Sequence, residues 1–479
     1  MSETQNNVAL LHRKEWQTMT PAPVNSGIGT SMVFSKNGAN NVALYLSSGT
    51  AHYLYHHDED GYVQIPSGAF GGTWVAGACG VYHPWSKTIT ATGGSTTTIT
   101  VNAASFNLNG FCRGATLEFL SGTAANIGTR TTVTEILNNA GTGTITLTLA
   151  DSVTSVANND TFRMNTGSFW VMSSGTLAAK CFQQFDVATL TWIDKAYAVG
   201  TSGGTNATDA RLVVPYTRID VFATGTATSG SATTLVNSAK NWKVDQWINY
   251  QVRITAGTGK GQVRVITDSD ATSLTFAAGA TIDNTSQYSI EGDENAIYYL
   301  GNGAVTLFKY SISANTWSTV SVTAARAAAP AAGMTADWVG ITGDTGWANE
   351  NDCLDGRYIY SARPTSSIID RYDISSRAWL PTTGVNYLPL LLLGNGSGSF
   401  WDGRFIYYAV QGTASVPVRI YKYNIRGNYI EPFAEDWYLG GVAVAGNRVW
   451  VKDLSTAGTI KWLYYVSGTS NIVRRIMII

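Results

Sequence analysis

The densest set of side chains able to bind a metal or move a proton is His52, His56, His57, Asp58, Glu59 and Asp60. Imidazole with nearby carboxylates suits a divalent transition metal, and on a strand His52 and His56 share one face. The same stretch fills the gap between Tyr55 and Tyr62, and turns collect Asp and Gly. It therefore reads as a solvated hairpin turn. The loop Ala256-Gly257-Thr258-Gly259-Lys260-Gly261-Gln262 has the glycines and lysine of a phosphate cradle. A phosphate loop needs Ser or Thr after the lysine and then a helix. Here Gly261-Gln262 lead into the strand-like Val263-Arg264-Val265-Ile266, so the loop reads as a hairpin turn as well. Asp355 and Asp402 are candidates for the paired carboxylates of a glycosidase. Each precedes a glycine, which is turn chemistry. No nucleophile elbow is present for a Ser/His/Asp triad, and the lone His83 before Pro84 is given no role. No catalytic residue, metal or cofactor is expected.

Aromatic and basic residues offer binding chemistry instead. Trp192, Trp317 and Trp379 recur at regular spacing and read as core residues. Trp74, Trp85, Trp338 and Trp347 stand outside that spacing and are less constrained. Trp242 and Trp247 are the candidates for contact with a partner. Arg419, Lys422, Arg426, Arg474 and Arg475 make the C-terminal third locally basic. Solvated strand faces explain them, with a DNA- or partner-facing surface as the alternative.

The elements that must position these groups are strands. Short apolar or alternating runs rich in Val, Ile, Thr, Tyr, Phe and Trp are punctuated by Gly, Asn, Asp and Ser, which is strand and turn chemistry. One weak helical candidate, Thr323 to Ala329, is limited by Pro330. A repeat runs through the chain in which an aromatic is followed seven positions later by a second large apolar residue: Tyr55 and Tyr62, Phe185 and Trp192, Tyr310 and Trp317, Tyr372 and Trp379, Tyr423 and Ile430. Fainter copies end at Trp16 and Ile472. Most are preceded by a turn and a buried strand read as an inner strand of its unit, as in Asp355-Gly356-Arg357-Tyr358-Ile359-Tyr360 and Asp402-Gly403-Arg404-Phe405-Ile406-Tyr407. A weaker relative is Gly446-Asn447-Arg448-Val449-Trp450. The undisturbed steps match the roughly 40–50 residues of a propeller blade. The chain thus resembles a kelch-like β-propeller over roughly residues 8–86, 166–222 and 291–479, without the double glycine of kelch blades. Six complete units and a partial N-terminal one are counted.

Two steps of the repeat are several dozen residues too long, and the excesses resemble each other. One opens on Thr90 to Ile99, the other on Thr226 to Leu235. Both continue through an aromatic patch, a strand, a Gly-rich turn and an Arg-bearing strand. They read as two copies of one small β-barrel or sandwich inserted at the same place in successive blades. The expected division is 1–87 propeller, 88–165 first insert, 166–223 propeller, 224–290 second insert, and 291–479 propeller.

The 479 residues carry 31 Lys+Arg and 32 Asp+Glu, a formal net charge of −1. This balance excludes a polybasic nucleic-acid coat and an acidic tail. With 44% hydrophobic and 11% aromatic residues the chain can bury a large core and is not disordered. No stretch reaches the roughly 18 apolar residues of a membrane helix. The N-terminus lacks the pattern of a secretory signal, and four scattered cysteines fit a reducing cytoplasm. A Thr/Ser/Gly/Asn-rich, cysteine-poor, all-β chain with duplicated inserts resembles the virion structural proteins of tailed bacteriophages. The stretch from Gly257 to Ile266 followed by Thr272 to Thr275 is similar to small modules of their tail and fibre proteins. That resemblance implies a tail hub or nozzle protein, made in the host cytoplasm and located in the virion. It would form a ring with copies of itself, contact neighbouring tail proteins and face DNA passing through the channel. A receptor- or glycan-binding fibre or decoration protein is the second expectation, and a propeller glycan hydrolase or lyase the third.

Overall fold

A computed structural model describes residues 16–24, 31–35, 42–46, 51–68, 70, 74–106, 112–174, 180–197, 210–215, 221–301, 305–327, 337–339, 356–363, 368–380, 398–402, 405–410, 418–425, 429–436, 449–453, 461–466 and 472–478. Apart from one short 3-10 turn at Ala103–Ser105, every element among them is a β-strand. Six antiparallel four-stranded sheets form the blades of a β-propeller. Blade 1 is Ser31–Phe34, Val42–Leu46, His52–His56 and Gly61–Ile65. Blade 2 is Trp74–His83, Ser168–Ser174, Phe182–Asp186 and Thr191–Asp194, and blade 3 is Arg211–Val213, Ala296–Leu300, Leu307–Ser311 and Thr316–Thr319. Blade 4 is Asp337–Val339, Tyr358–Ala362, Ile369–Asp373 and Ala378–Leu380. Blade 5 is Gly398–Trp401, Phe405–Val410, Val418–Asn424 and Tyr429–Asp436.

Blade 6 draws Val449–Asp453, Lys461–Val466 and Val473–Ile478 from the C-terminal end and its outer strand, Gln17–Thr18, from the N-terminal end. The two faint repeats of the sequence, at Trp16 and Ile472, are therefore parts of one blade. Gln17 pairs with Arg475 and Thr18 with Arg474, and both arginines also donate to the side chains of these partners. Asp60 of blade 1 accepts from the backbone and hydroxyl of Thr20, which fastens the closing strand to the next blade.

The repeated aromatic pair has a direct structural meaning. Tyr55 and Tyr62, Phe185 and Trp192, Tyr310 and Trp317, Tyr372 and Trp379, and Tyr423 and Ile430 are cross-strand partners at the outer hairpin of their blades. Five positions after the first aromatic, four of these hairpins hold a residue with positive φ: Asp60 (46°), Leu190 (51°), Asn315 (51°) and Arg377 (57°). Asp and Asn tolerate this conformation better than other non-glycine residues. In those two hairpins the side chain also accepts the first tyrosine's hydroxyl, from Tyr55 at 2.8 Å and Tyr310 at 2.6 Å.

The outer tryptophans then staple blade to blade. Trp192 Nε1 donates to the Pro66 carbonyl at 2.7 Å, Trp317 Nε1 to Ala196 at 2.8 Å and Trp16 Nε1 to Glu435 at 3.0 Å. Each acceptor lies at or just past the end of the preceding blade's outer strand. Between the sheets, Trp170, Met172 and Phe182 of blade 2 interdigitate with Ile297, Phe308 and Tyr310 of blade 3, and burial of such large side chains drives the packing. The Asp-Gly-Arg strands read as inner strands are the second strands of their blades, Tyr358–Ala362 and Phe405–Val410. Shorter strands, Asp337–Val339 and Gly398–Trp401, lie inside them. The relative at Val449 and Trp450 is the first strand of its blade.

Two seven-stranded sheets interrupt blades 2 and 3 between their first and second strands. The first sheet contains strands from Ile89–Thr90 to Thr161–Met164, and the second runs from Val221–Thr226 to Gln287–Glu291. The end members of the first sheet, Ile89–Thr90 and Gly93–Gly94, are halves of one chain stretch. Between them Ala91 donates to Asp160 on one side and Thr92 to Thr100 on the other, so the sheet closes into a barrel. Ala227 and Thr228 close the second barrel in the same way, donating to Ser286 and Val236. Closure abolishes exposed sheet edges. At Gly94 a Cβ would lie 2.2 Å from the Thr98 carbonyl oxygen, so only glycine fits this corner.

Candidate functional site

The strongest concentration of chemistry lies where the two barrels meet each other and the roots of blades 2 and 3. Glu118 and Arg253 sit on strands Thr116–Ser121 and Gln251–Ala256, each between apolar residues that point into its own barrel. The side chains of Glu118 and Arg253 turn outward and meet across the junction, Nη1 to Oε1 at 2.6 Å, with 3% and 4% of their surface exposed. Arg163 bonds Glu118 at 2.9 Å and Glu294 at 2.9 Å. Arg253 reaches Glu291 at 3.1 Å and Glu294 at 2.8 Å. Arg130 approaches Glu118 at 3.6 Å. Three guanidinium groups thus face three carboxylates, and the cluster is charge-balanced.

Its surroundings add further contacts. Ser289 and Gln251 donate to Glu291. The Arg163 guanidinium lies 4.2 Å from the centre of the buried Trp85 ring. His83, at the end of the first strand of blade 2, donates from Nε2 to the Glu294 carbonyl at 2.8 Å and accepts from the Trp85 amide at Nδ1 at 3.3 Å. Burial is the main cause that lowers the His83 pKa to about 4. Burial alone would raise that of Glu294, but Arg163 and Arg253 pull it down to about 2. The cluster therefore keeps its carboxylate charged and its histidine neutral near pH 7. Breaking a buried pair by removing one partner costs roughly 3–5 kcal/mol, so these contacts act as a fixed root for the barrel pair.

The residues weighed as metal ligands are dispersed. His52 is buried against Phe70 and Trp192, His57 meets Tyr464 of blade 6, and Asp60 holds Thr20 and Tyr55. Among the described residues no group of three or more His, Cys, Asp or Glu is placed to hold a metal ion. The glycine-rich loop is a hairpin turn with Gly257, Gly259 and Gly261 at positive φ. Its Lys260 donates to Thr129 of the first barrel at 2.9 Å. Asp402 caps a turn by accepting from the Phe405 amide, and Asp355 lies outside the described residues.

Trp247 is buried in the core of the second barrel with Tyr250 and Tyr288, and Trp242 is half-buried against it. Trp247 thus offers no surface to a partner. Trp85 is likewise core. Trp74 and Trp338 fall in the first strands of blades 2 and 4, while Trp347 lies outside the described residues. Two of the basic residues are ion-paired within the same blade, Arg419 with Glu435 at 3.0 Å and Lys422 with Glu431, and Arg474 and Arg475 bond the N-terminal strand. Arg426 lies outside the described residues. A cleft of about 450 Å3 separates the second barrel from blade 4, lined by Asp245, Asn249, Thr267, Arg357, Ser376 and Arg377 among others.

The cluster at Glu118 and Arg253 goes beyond the residues singled out from the sequence. Its sequence signal is a charged residue inside an apolar strand at the same place in both inserts, Leu117-Glu118-Phe119 and Val252-Arg253-Ile254, with opposite signs.

No protein-family model matches the chain, and no curated protein matches it. Among solved structures it is similar to a chain of the mitotic checkpoint complex, with 9% identity, a TM-score of 0.34, and 98% of this chain and 94% of that one covered. It is also similar to the WD40 repeats of RRP9, with 6% identity, a TM-score of 0.33 and coverage of 96% and 97%. U3-55K gives 7% identity, a TM-score of 0.34 and coverage of 97% and 98%. Likeness this distant says nothing of what the chain does, and the six-blade arrangement rests on its own strand pairing.

Proposed function

We propose that this chain is a structural protein that assembles through its surface, and that the assembly is a bacteriophage virion, with a tail hub or nozzle ring as the finer reading. The observation that carries the proposal is the buried, charge-balanced root joining both barrels to blades 2 and 3. Such a root commits buried acids and bases to rigidity, as suits a fixed projection presented to neighbouring subunits. The barrels also expose large aliphatic groups: Leu137 on the first is 56% exposed and Val244 on the second 68% exposed. Exposed apolar groups on a projection serve lateral contact when gathered in a patch. The near-zero net charge weakens repulsion between copies.

The test is sedimentation and electron microscopy of the full chain, beside Leu137→Asp and Val244→Asp variants. Rings or higher oligomers that either substitution dissolves are expected. A chain that stays monomeric at high micromolar concentration would overturn self-assembly. Detection of the chain in purified virions by mass spectrometry tests the finer reading. The cleft beside blade 4 favours a second reading, a receptor- or glycan-binding protein, for which an array of bacterial surface glycans is the discriminating screen.

A further inference from the structure

The two barrels are the same object in register as well as in order. Leu117, Glu118 and Phe119 pair with Met164, Arg163 and Phe162, and the ladder slips between Phe119 and Ser121. In the second barrel Val252, Arg253 and Ile254 pair with Ile290, Ser289 and Tyr288, and the ladder slips between Ile254 and Ala256. Position 118 of one barrel is thus position 253 of the other. The turns agree too: the Gly128 amide donates to the Phe119 carbonyl and the Gly261 amide to the Ile254 carbonyl, both at 2.9 Å. These equivalent glycines are in contact, for a Cβ on Gly128 would lie 2.4 Å from the Gly261 Cα. Equivalent residues touching equivalent residues, at both Gly128/Gly261 and Glu118/Arg253, is the signature of a twofold relation. The barrels pair within one chain as two subunits of a symmetric dimer do.

An unmodified twofold pairing would set a residue against its own copy. Two copies of Glu118 or of Arg253 would bury like charges. The faces have instead diverged. The first barrel brings Arg130, Glu118 and Arg163, a net charge of +1 by count, while the second with its exit brings Glu291, Arg253 and Glu294, a net charge of −1. Like-charge juxtaposition penalises wrong partners, and complementary charge fixes the right one.

We infer that each barrel carries one half of a paired recognition surface, and that the opposite charges of Glu118 and Arg253 select the sibling barrel of the same chain as its occupant. This inference stands apart from any virion role, since it concerns the join between the barrels alone.

The experiment is hydrogen exchange of the full-length chain, followed at the facing turns 122–129 and 257–262 and, as internal control, at the barrel strands Thr144–Leu149 and Ser273–Phe276. The variants are Glu118→Gln, Arg253→Gln and the double substitution. Each single change leaves the buried three-against-three cluster with one uncompensated charge, so exchange at both turns is expected to rise on the order of 100-fold while the control strands stay slow. The double change restores the charge balance of the cluster, with Arg130 and Arg163 against Glu291 and Glu294, so its effect falls well short of the product of the two singles. A double effect equal to that product, or turns that stay protected in both single variants, would overturn the inference. Should Arg253→Gln melt its own barrel, Glu118→Gln, which lies in the other barrel, decides between the outcomes. Melting of both control strands in both single variants also counts against the inference, because the charges would then hold each barrel's own fold.

Discussion

Acid should unfold this protein through two histidines before it touches the carboxylates. His83 and His52 are both buried, and burial lowers each pKa from an ordinary 6.5 to about 4. His83 has both ring nitrogens committed in the neutral form: Nε2 donates to Glu294 and Nδ1 accepts from Trp85. Protonating Nδ1 would set its N–H against the Trp85 N–H. A depressed histidine pKa means that the unfolded chain binds the proton first. The stability is therefore complete above pH 6.5 and drains as pH falls toward 4. At 1.36 kcal/mol per pKa unit, each histidine withdraws about 3 kcal/mol over that window, a large share of a typical 5–15 kcal/mol. Glu294 works lower down. Its folded pKa is about 2, so its contribution is present above 4.5 and is lost only as pH falls below that. Asp186 opposes the trend, since burial raises its pKa and protonation then favours the folded state. The assay is urea unfolding at pH 7.5, 6.5, 5.5 and 4.5 for the parent chain and for His52→Gln with His83→Gln, which keeps polarity without titration. The parent's midpoint should fall steeply between pH 6.5 and 4.5, and the double variant's should fall by less than half as much. Equal slopes in the two proteins would refute the reasoning.

Asp60→Ala removes the acceptor that holds both Thr20 and Tyr55, at a cost of about 1–3 kcal/mol. Hydrogen exchange should show the loss first at the closing strand Gln17–Thr18 and not in the barrels. Trp317→Phe deletes the staple to Ala196 while keeping most of the ring. A loss of about 1 kcal/mol in denaturant unfolding is expected, and Ala196 should exchange faster. Gly94→Ala forces a Cβ onto the Thr98 carbonyl, so the first barrel should be destabilised by more than the roughly 1 kcal/mol of an ordinary glycine replacement, with protease sensitivity confined to residues 89–164. Dialysis against a chelator should leave the melting temperature unchanged, because His52, His57 and Asp60 are each turned to a different protein partner.

The strands were legible because their chemistry is local. The seven-residue step from Tyr310 to Trp317 is a hairpin read directly off the chain, since a fixed loop places those residues opposite each other. The two over-long steps of the repeat stood out in the sequence because their opening segments, Thr90 to Ile99 and Thr226 to Leu235, resemble each other. Closure was not: Gln17–Thr18 is too short to carry a pattern, and its partners Arg475 and Arg474 lie at the far end of the chain. Nor were the innermost strands, because Asp337–Val339 is a three-residue element whose pairing is supplied by its neighbour. Trp242 and Trp247 had the composition of a contact surface, yet barrel closure folded Trp247 inward. By itself the sequence determined an all-β chain of repeated hairpins with two related interruptions. Only the tertiary structure decided that six blades close through the N-terminal strand and that Glu118 meets Arg253 from 135 positions away. The matched positions of Glu118 and Arg253 in the two inserts do not by themselves mark a contact: on an alternating strand each looks like an ordinary surface charge until a second barrel excludes water from both.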